Sequence, residues 1–322
     1  MSKQTEETEM SSLTEEIQIL KKEKQAMILA HYYVPDEVQE IADVTGDSFY
    51  LSKVAKEADA KILVFAGVSF MGESAKILNP EKKVLLPDPA ADCAMAHMAD
   101  VEKIRAMRDR YPDLAVVCYI NSTAKLKQYA DVCVTSANAV KVVKALPNKH
   151  IYFIPDQHLG SFVAAQVPEK EVIVGDGYCP VHHQITAEEV RQAKKAHPEA
   201  SVFVHPECPK EVTELADYVG STSGIIRAVA EDEAKTCLIG TEMGVFYELK
   251  KQNPEKEFYP LQAEQCCYDM KKVTLKKVRD CLRDETNEVY VDREVSEKAK
   301  AGEDFATLFE TYDTDTSAKE NG

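Results

Sequence analysis

His31 and Tyr33, Tyr119 and Asn121, and His205 and Glu207 each stand two residues apart at the end of a short apolar run. Side chains two apart in an extended segment point the same way. Each pair can therefore face one cavity with groups that move or hold protons. Cysteines recur in the same rhythm, at Cys93, at Cys179, and at Cys266 or Cys267. Three thiolates with no obvious fourth protein ligand make an open metal site, either a zinc with an exchangeable position or a [4Fe-4S] cluster with one iron free. Catalytic zinc sites usually include histidine, so three cysteines alone suit the cluster better. Ser48, Ser136 and Thr222 occupy matching places, each just before an expected helix. A hydroxyl beside unpaired backbone N–H groups suits phosphate or carboxylate there. Taken singly, the cysteines read equally well as small core residues, the hydroxyls as helix N-caps and the tyrosines as core aromatics. Their coincidence at the same strand ends in three copies favours chemistry.

The elements that position these residues repeat. The pairs begin at 31, 119 and 205, and each is followed by Ala-Asp, at Ala42-Asp43, Ala130-Asp131 and Ala216-Asp217. Gly72, Gly160 and Gly244 keep the period. Ser12, Asp100 and Thr186 read as helix N-caps, with capping boxes to Glu15 and Glu189. Each copy then reads as helix, strand, two short helices, strand, helix and strand. The first helix is expected from about Leu13, and Ile62–Phe65 is a buried strand. Helices alternating with short Val/Ile/Leu-rich strands imply parallel sheets covered on both faces. The expectation is α/β: three α/β/α sandwich domains around a pseudo-threefold axis, with the active site at the centre. Their expected spans are 12–95, 96–181 and 182–268. Residues 269–310 should form a helical segment packed on the body, and 1–11 and 311–322 should be flexible tails.

Composition bounds the partners. The 322 residues carry 55 acidic and 39 basic side chains, a net charge of −16. That argues against sequence-independent binding to nucleic acid or an anionic membrane surface. An anionic ligand would need a local positive field. No apolar run approaches the roughly 20 residues of a membrane span, and the polar start lacks a secretory pattern; a cytoplasmic protein is expected. Nine cysteines without a dense framework, and without Cys-x-x-Cys, suit a reducing compartment. Cys118, Cys133 and Cys237 read as core, Cys281 as a helix face, and Cys208 as a loop thiol.

Several segments together resemble quinolinate synthase, the iron-sulfur enzyme family of NAD biosynthesis. They are Ala30–Tyr33, Gly46–Ser48, Val64–Val68, Phe70–Pro80, Val84–Asp88, Thr135–Val143, Cys179–His182, His205–Pro209 and Val219–Gly224. The resemblance spans residues 13–283. It implies three Rossmann-like domains in a triangle and a central [4Fe-4S] cluster. The implied reaction condenses iminoaspartate with dihydroxyacetone phosphate into quinolinate, phosphate and two waters. It further implies that Cys93, Cys179 and one of the vicinal pair hold the cluster. Cys267-Tyr268-Asp269-Met270 keeps the family's Met spacing but lacks its proline, and Asp92-Cys93-Ala94 departs from the commoner Gly-Cys-Ser. Cys267 is therefore the expected third ligand, with Cys266 the alternative. Glu207 is expected as general base, with His205 and Tyr33 as proton partners. His31, Tyr119 and Asn121 should orient carboxylates, Ser48, Ser136 and Thr222 should hold phosphate or carboxylate oxygens, and His182 should lie beside the cluster. Aspartate oxidase or dehydrogenase is the implied source of iminoaspartate. A cluster-dependent hydro-lyase and a non-catalytic iron-sulfur redox sensor are the competing readings, and the sensor would have no need of Tyr33 and Glu207.

Overall fold

The computed structural model describes residues 3–301. Among these residues twelve strands form three parallel four-stranded sheets. The first contains β1 (Ala26–His31), β2 (Val44–Gly46), β3 (Ile62–Ala66) and β4 (Lys83–Leu85), in the order β2-β1-β3-β4. The second contains β5 (Ala115–Tyr119), β6 (Val132–Val134), β7 (His150–Ile154) and β8 (Glu171–Val174), and the third β9 (Ser201–Val204), β10 (Tyr218–Val219), β11 (Thr236–Gly240) and β12 (Glu257–Pro260). They repeat the same order, β6-β5-β7-β8 and β10-β9-β11-β12. Helices flank each sheet, giving the expected Rossmann-like α/β/α sandwiches. Chain order reverses between β1 and β3, and likewise in the other sheets. Ligand crevices in open parallel sheets form at such reversals, off the carboxyl ends of the strands.

The short edge strands β2, β6 and β10 are absent from the sequence reading, because two or three residues carry no detectable periodicity. The recurring aspartates explain them. Asp43 accepts the Ile28 N–H at 2.8 Å while its own N–H reaches the Ile28 carbonyl at 2.9 Å. Asp131 does the same with Val116, and Asp217 with Val202. Each turns the chain into pairing beside the central strand, and each has a cation: Lys21 at 2.7 Å, Arg108 at 2.9 Å and Lys194 at 3.8 Å. A second repeated device is Lys82, Lys170 and Lys256. Their ammonium groups bind carbonyls that close the helix leading into β3, β7 or β11, those of Ala55 and Ala58, Leu146 and Asn148, and Val229 and Asp232. Positive charge at a helix C-terminus also meets the macrodipole favourably.

The first helix runs Lys3–Lys24 and not from Leu13, so the segment 1–11, read as a tail, carries helix from Lys3. Ser12 consequently lies inside it and is not its cap. Extending an existing helix costs far less than nucleating one, so a polar stretch with no apolar face can continue it. Asp100 and Thr186 do cap their helices, Thr186 with its capping box. The helix Leu275–Asp284 buries Leu275, Val278, Cys281 and Leu282 in the core of the first sheet's unit, and Arg279 pairs with Glu16 of the first helix. Beyond it, Val289 donates to the Val84 carbonyl at 2.8 Å, adding an antiparallel contact to the edge of β4. Helix Arg293–Ala301 packs Ala299 against Ile77 and Ala124. The segment 311–322 lies outside the described residues. Cys118, Cys133, Cys208, Cys237 and Cys281 are all buried.

If the aspartate is what fixes each edge strand, Asp131→Ala and Asp217→Ala should each lower the unfolding free energy by about 2 kcal/mol, the scale of a hydrogen bond to a charged group. Asp176→Ala, which removes only the exposed pair with Lys103, should cost well under 1 kcal/mol. Urea denaturation of the three variants checks the contrast. Equal midpoints for all three would reject it.

Candidate active site

The carboxyl ends of β1, β5 and β9 release the three polar pairs into one cavity of about 80 Å³. His31, Tyr33, Ser48, Tyr119, Asn121, Ser136, His182, His205, Glu207 and Thr222 all line it, together with Cys93, Cys179 and Cys267. Val68, Phe70, Ile120, Val181 and Met270 supply its apolar wall. Cys266 is not among the lining residues, and Cys208 turns its thiol to the Gly240 carbonyl at 3.4 Å.

Backbone geometry fixes two imidazoles alike. The Tyr33 N–H donates to His31 Nδ1 at 3.2 Å, and the Glu207 N–H donates to His205 Nδ1 at 3.3 Å. An Nδ1 that accepts carries no proton, so each neutral ring bears its hydrogen on Nε2. His205 Nε2 lies 3.2 Å from Ser136 Oγ and donates to it. Burial pushes His205 down to about 3, against the pull of Glu207. Burial, assisted by the Lys271 ammonium, pushes His31 down to about 3 as well. Both rings are neutral hydrogen-bond donors across the physiological range.

Glu207 is 3% exposed. Tyr119 donates its phenol to Oε1 at 2.6 Å, and His182 Nδ1 lies 2.9 Å from Oε2. Burial raises the carboxyl's pKa, but His205, His182 and the Tyr119 hydroxyl together outweigh it and hold the group below the ordinary carboxylate range. Glu207 is thus an ionised carboxylate in a nearly dry place. On its far side His182 Nε2 meets Thr241 Oγ1 at 2.9 Å. That hydroxyl and Thr222 Oγ1 each lie 2.7 Å from Tyr33 Oη. One hydrogen-bonded chain thereby joins Tyr119, Glu207, His182, Thr241, Tyr33 and Thr222. Burial lifts the phenols of Tyr33 and Tyr119 well above their usual value, which keeps both as donors.

Ser48 and Thr222 are not the caps of their helices. Asp47 caps Ser48–Glu57 by accepting from Tyr50, and Ser221 caps Thr222–Glu231 by accepting from Gly224. Asn138 is the N-cap residue of Ala139–Ala145, and Ser136 lies two residues before it. The capping alternative is therefore set aside for all three hydroxyls.

Sequence reasoning passed over Thr241, Glu242 and Lys271. Glu242 is fully buried and lines the cavity. Lys271 pairs with it at 3.0 Å and donates to the Tyr33 carbonyl at 2.6 Å. The signal for Glu242 was present, since Asp156 stands 86 residues earlier, at the matching place after the third strand of its sheet. Thr241 has no such signal, because Pro155 stands at its counterpart. Gly244 is required where the third unit meets the first. A Cβ there would lie 2.6 Å from the Tyr32 carbonyl oxygen and 2.7 Å from Tyr33 Cα.

The cysteines suit a metal group. Cys93, Cys179 and Cys267 come from the ends of three different units and are half-buried at the cavity wall. Burial pushes all three thiols up, Cys267 to about 11, and Cys267 and Cys93 add to the shifts of Cys93 and Cys179 respectively. Thiols gathered in this way ionise together only against a strongly cationic centre, as a bound metal provides. Three soft donors facing a cavity leave a fourth position open, which fits a [4Fe-4S] cluster. Cys179, His182 and Glu207 also bring ligand atoms within 4.8 Å of one another, but Glu207 and His182 are already engaged in the chain described above.

The family model for the quinolinate synthetase A protein matches residues 15–303. The chain belongs to the quinolinate synthase family. It is 54% identical to the quinolinate synthase of Caldicellulosiruptor bescii over 288 residues, 89% of this chain and 95% of that one. It is 51% identical to that of Clostridioides difficile over 89% of this chain and 94% of the relative. With the Aquifex aeolicus enzyme it shares 48% identity over 303 residues, 92% and 94% of the two chains. Among the described residues no helix is long and apolar enough to cross a membrane.

The buried histidines make the fold acid-sensitive in a defined window. A folded pKa of about 3 against an unfolded value near 6.5 means that unfolding takes up protons below pH 6.5. Stability from His31 and His205 is thus present above 6.5 and lost progressively as pH falls toward 3. Each should add a slope of at most about 1.4 kcal/mol per pH unit. Unfolding free energies measured at pH 7, 6 and 5 should fall less steeply in His31→Asn and His205→Asn than in the parent chain. An identical slope in both variants would contradict the buried neutral state.

Proposed function

We propose that this chain is an enzyme of NAD biosynthesis that condenses iminoaspartate with dihydroxyacetone phosphate. The products are quinolinate, phosphate and two waters, and the balance needs no oxidant. A [4Fe-4S] cluster held by Cys93, Cys179 and Cys267 would supply a Lewis-acid iron with an open position for a substrate oxygen or nitrogen. The observation that carries this reading is the convergence of all three polar pairs and all three thiols on one cavity, with an ionised Glu207 among them.

Each loss of water requires a proton taken from carbon and another given to the leaving oxygen. Glu207 is the base. Tyr119 and His182 hold its two oxygens, which aims the carboxylate and keeps it charged. Withdrawal of either donor would raise its basicity. Tyr33 is the proton donor at the other end of the hydrogen-bonded chain, and Thr241 connects it to His182. The Nε2–H of His31 faces anionic oxygens as a neutral donor, and that of His205 holds the Ser136 hydroxyl toward them. Ser48, Ser136 and Thr222 bind phosphate or carboxylate, and Asn121 orients the substrate beside Tyr119. A sensor has no use for these groups around its thiols, so the catalytic reading is preferred. The enzyme that supplies iminoaspartate, an aspartate oxidase or dehydrogenase, would be its functional partner in the cytoplasm.

Glu207→Gln should keep the cluster's visible absorbance and lower quinolinate formation by at least about 100-fold, within the range of general acid–base contributions. Full activity in that variant would sink the base assignment. Anaerobic iron and sulfide analysis should find the cluster lost in Cys93→Ser, Cys179→Ser and Cys267→Ser, and kept in Cys208→Ser and Cys266→Ser. A cluster kept in Cys267→Ser and lost in Cys266→Ser would exchange the two neighbours.

A further inference from the structure

Each of the three cavity cysteines has its backbone N–H bound by a carboxylate. Cys93 donates to Asp92 Oδ1 at 2.8 Å, Cys179 to Asp156 Oδ2 at 2.9 Å, and Cys267 to Glu242 Oε1 at 3.0 Å. Asp156 and Glu242 are wholly buried and follow β7 and β11 at matching places. The first unit has Val68 there, which can accept nothing through its side chain. Asp92, a residue from a different place beside Cys93 itself, takes over. It is steadied by the Ser69 hydroxyl and by His97 at 2.7 Å. The same amide is thus bound by two unrelated routes, so the constraint lies in holding that amide and not in the ancestry of one position.

We propose that Asp92, Asp156 and Glu242 are positioning residues for the metal group, each setting one cysteine's direction through its own amide. This rests on the reading that Cys93, Cys179 and Cys267 hold the cluster. The carboxylates hold each N–H and so fix the backbone from which the thiol projects. Asp156 does so while its other oxygen caps the helix Gln157–Gln166, taking the N–H groups of His158 and Leu159 at 2.7 and 2.8 Å. Glu242 gives its other oxygen to the Gly244 N–H at 2.6 Å. Both oxygens accept, so an amide side chain of the same shape can serve only one of the two sides.

That asymmetry supplies the test. Asp156→Asn can keep the helix cap with its oxygen, since Asn is a good N-cap, but its NH₂ then confronts the Cys179 N–H. In Glu242 and Asp92 the oxygen on the cysteine amide also takes the Lys271 ammonium or the Ser69 hydroxyl, so an amide side chain would keep its oxygen there; Glu242→Ala and Asp92→Ala instead remove the acceptor from Cys267 and Cys93 outright. The parent chain and the three variants are reconstituted anaerobically with iron and sulfide. Iron release to a chelator is followed by absorbance, the reduced cluster is examined by electron paramagnetic resonance, and thermal unfolding is recorded without metal. Each variant should release iron about 10- to 100-fold faster than the parent, the usual effect of losing a group that orients a ligand, with an altered resonance spectrum. Asp100→Asn, at an exposed helix cap whose carboxylate takes the Glu102 N–H and no cysteine amide, should match the parent. Parental release rates and spectra in all three variants would overturn the positioning role. Faster release that merely follows lowered metal-free stability, with an unchanged spectrum, would also overturn it in favour of simple loop support. A parent chain that takes up no iron would instead overturn the cluster reading beneath it. Should Asp156→Asn fail to fold, the half-exposed Asp92 and the buried Glu242 carry the same comparison.

Discussion

A carboxylate that is almost wholly buried and still ionised is the constraint on which the rest of this molecule depends. Removing an ion of that size from water costs several kcal/mol even after relaxation, and Glu207 recovers that cost only through donors it does not own. Tyr119 arrives from the end of the second sheet and His182 from the helix that opens the third unit, and His182 is itself held by Thr241, on which Tyr33 of the first sheet also converges. No single unit contains the set. The charged state of Glu207 and the docking of the three units are therefore one condition. This accounts for Gly244, whose missing side chain lets the third unit approach the backbone of Tyr32 and Tyr33.

Threefold repetition makes that docking possible with little specific information. The aspartate that pairs with the central strand, and the lysine that closes the following helix, sit in all three units at the same period and do the same local work. These positions carry no chemistry. They keep the carboxyl ends of β1, β5 and β9 at equivalent heights, so that residues two apart leave each strand pointing at a shared centre. Once the scaffolds are equivalent, the three pairs are free to differ. Histidine with tyrosine, tyrosine with asparagine, and histidine with glutamate divide neutral donors and one ionised acceptor among themselves.

Much of this was legible in the sequence because it repeats. The pairs, the cysteines and the hydroxyls stand out as chemical types recurring at fixed spacing, and each lies on the cavity wall. What escaped notice was of two kinds. The edge strands β2, β6 and β10 are too short for a period, and their cue, the Ala-Asp step, looked like a helix end. The chain linking Glu207 to Tyr33 runs through Thr241, a small hydroxyl in one unit only, where neither composition nor repetition could mark it. Glu242 could have been found from Asp156, but Val68 interrupts the series in the first unit. Ser12 misled for the opposite reason, since a capping box is a local signal and the helix around it had already begun at Lys3.

The charge of the whole chain and the charge of the proposed anionic substrates then cease to conflict. With a net charge of −16 the protein surface repels anions at long range, yet screening confines that repulsion to about 8–10 Å at physiological salt. Inside the cavity the local field is set by dipoles. The Nε2–H of His31, the Ser136 hydroxyl that His205 holds, the hydroxyls of Ser48 and Thr222 and the nearby helix N-termini present hydrogens without net charge, and Lys271 is the neighbouring cation, neutralised in part by Glu242. Donors of this kind bind carboxylate and phosphate oxygens without adding a full positive charge beside the thiols. A lysine or arginine in their place would compete with a metal centre for the same thiolates and for Glu207. Under the proposed chemistry, neutral histidines held by the backbone are thus the form of anion recognition that a buried carboxylate and three neighbouring thiols tolerate together.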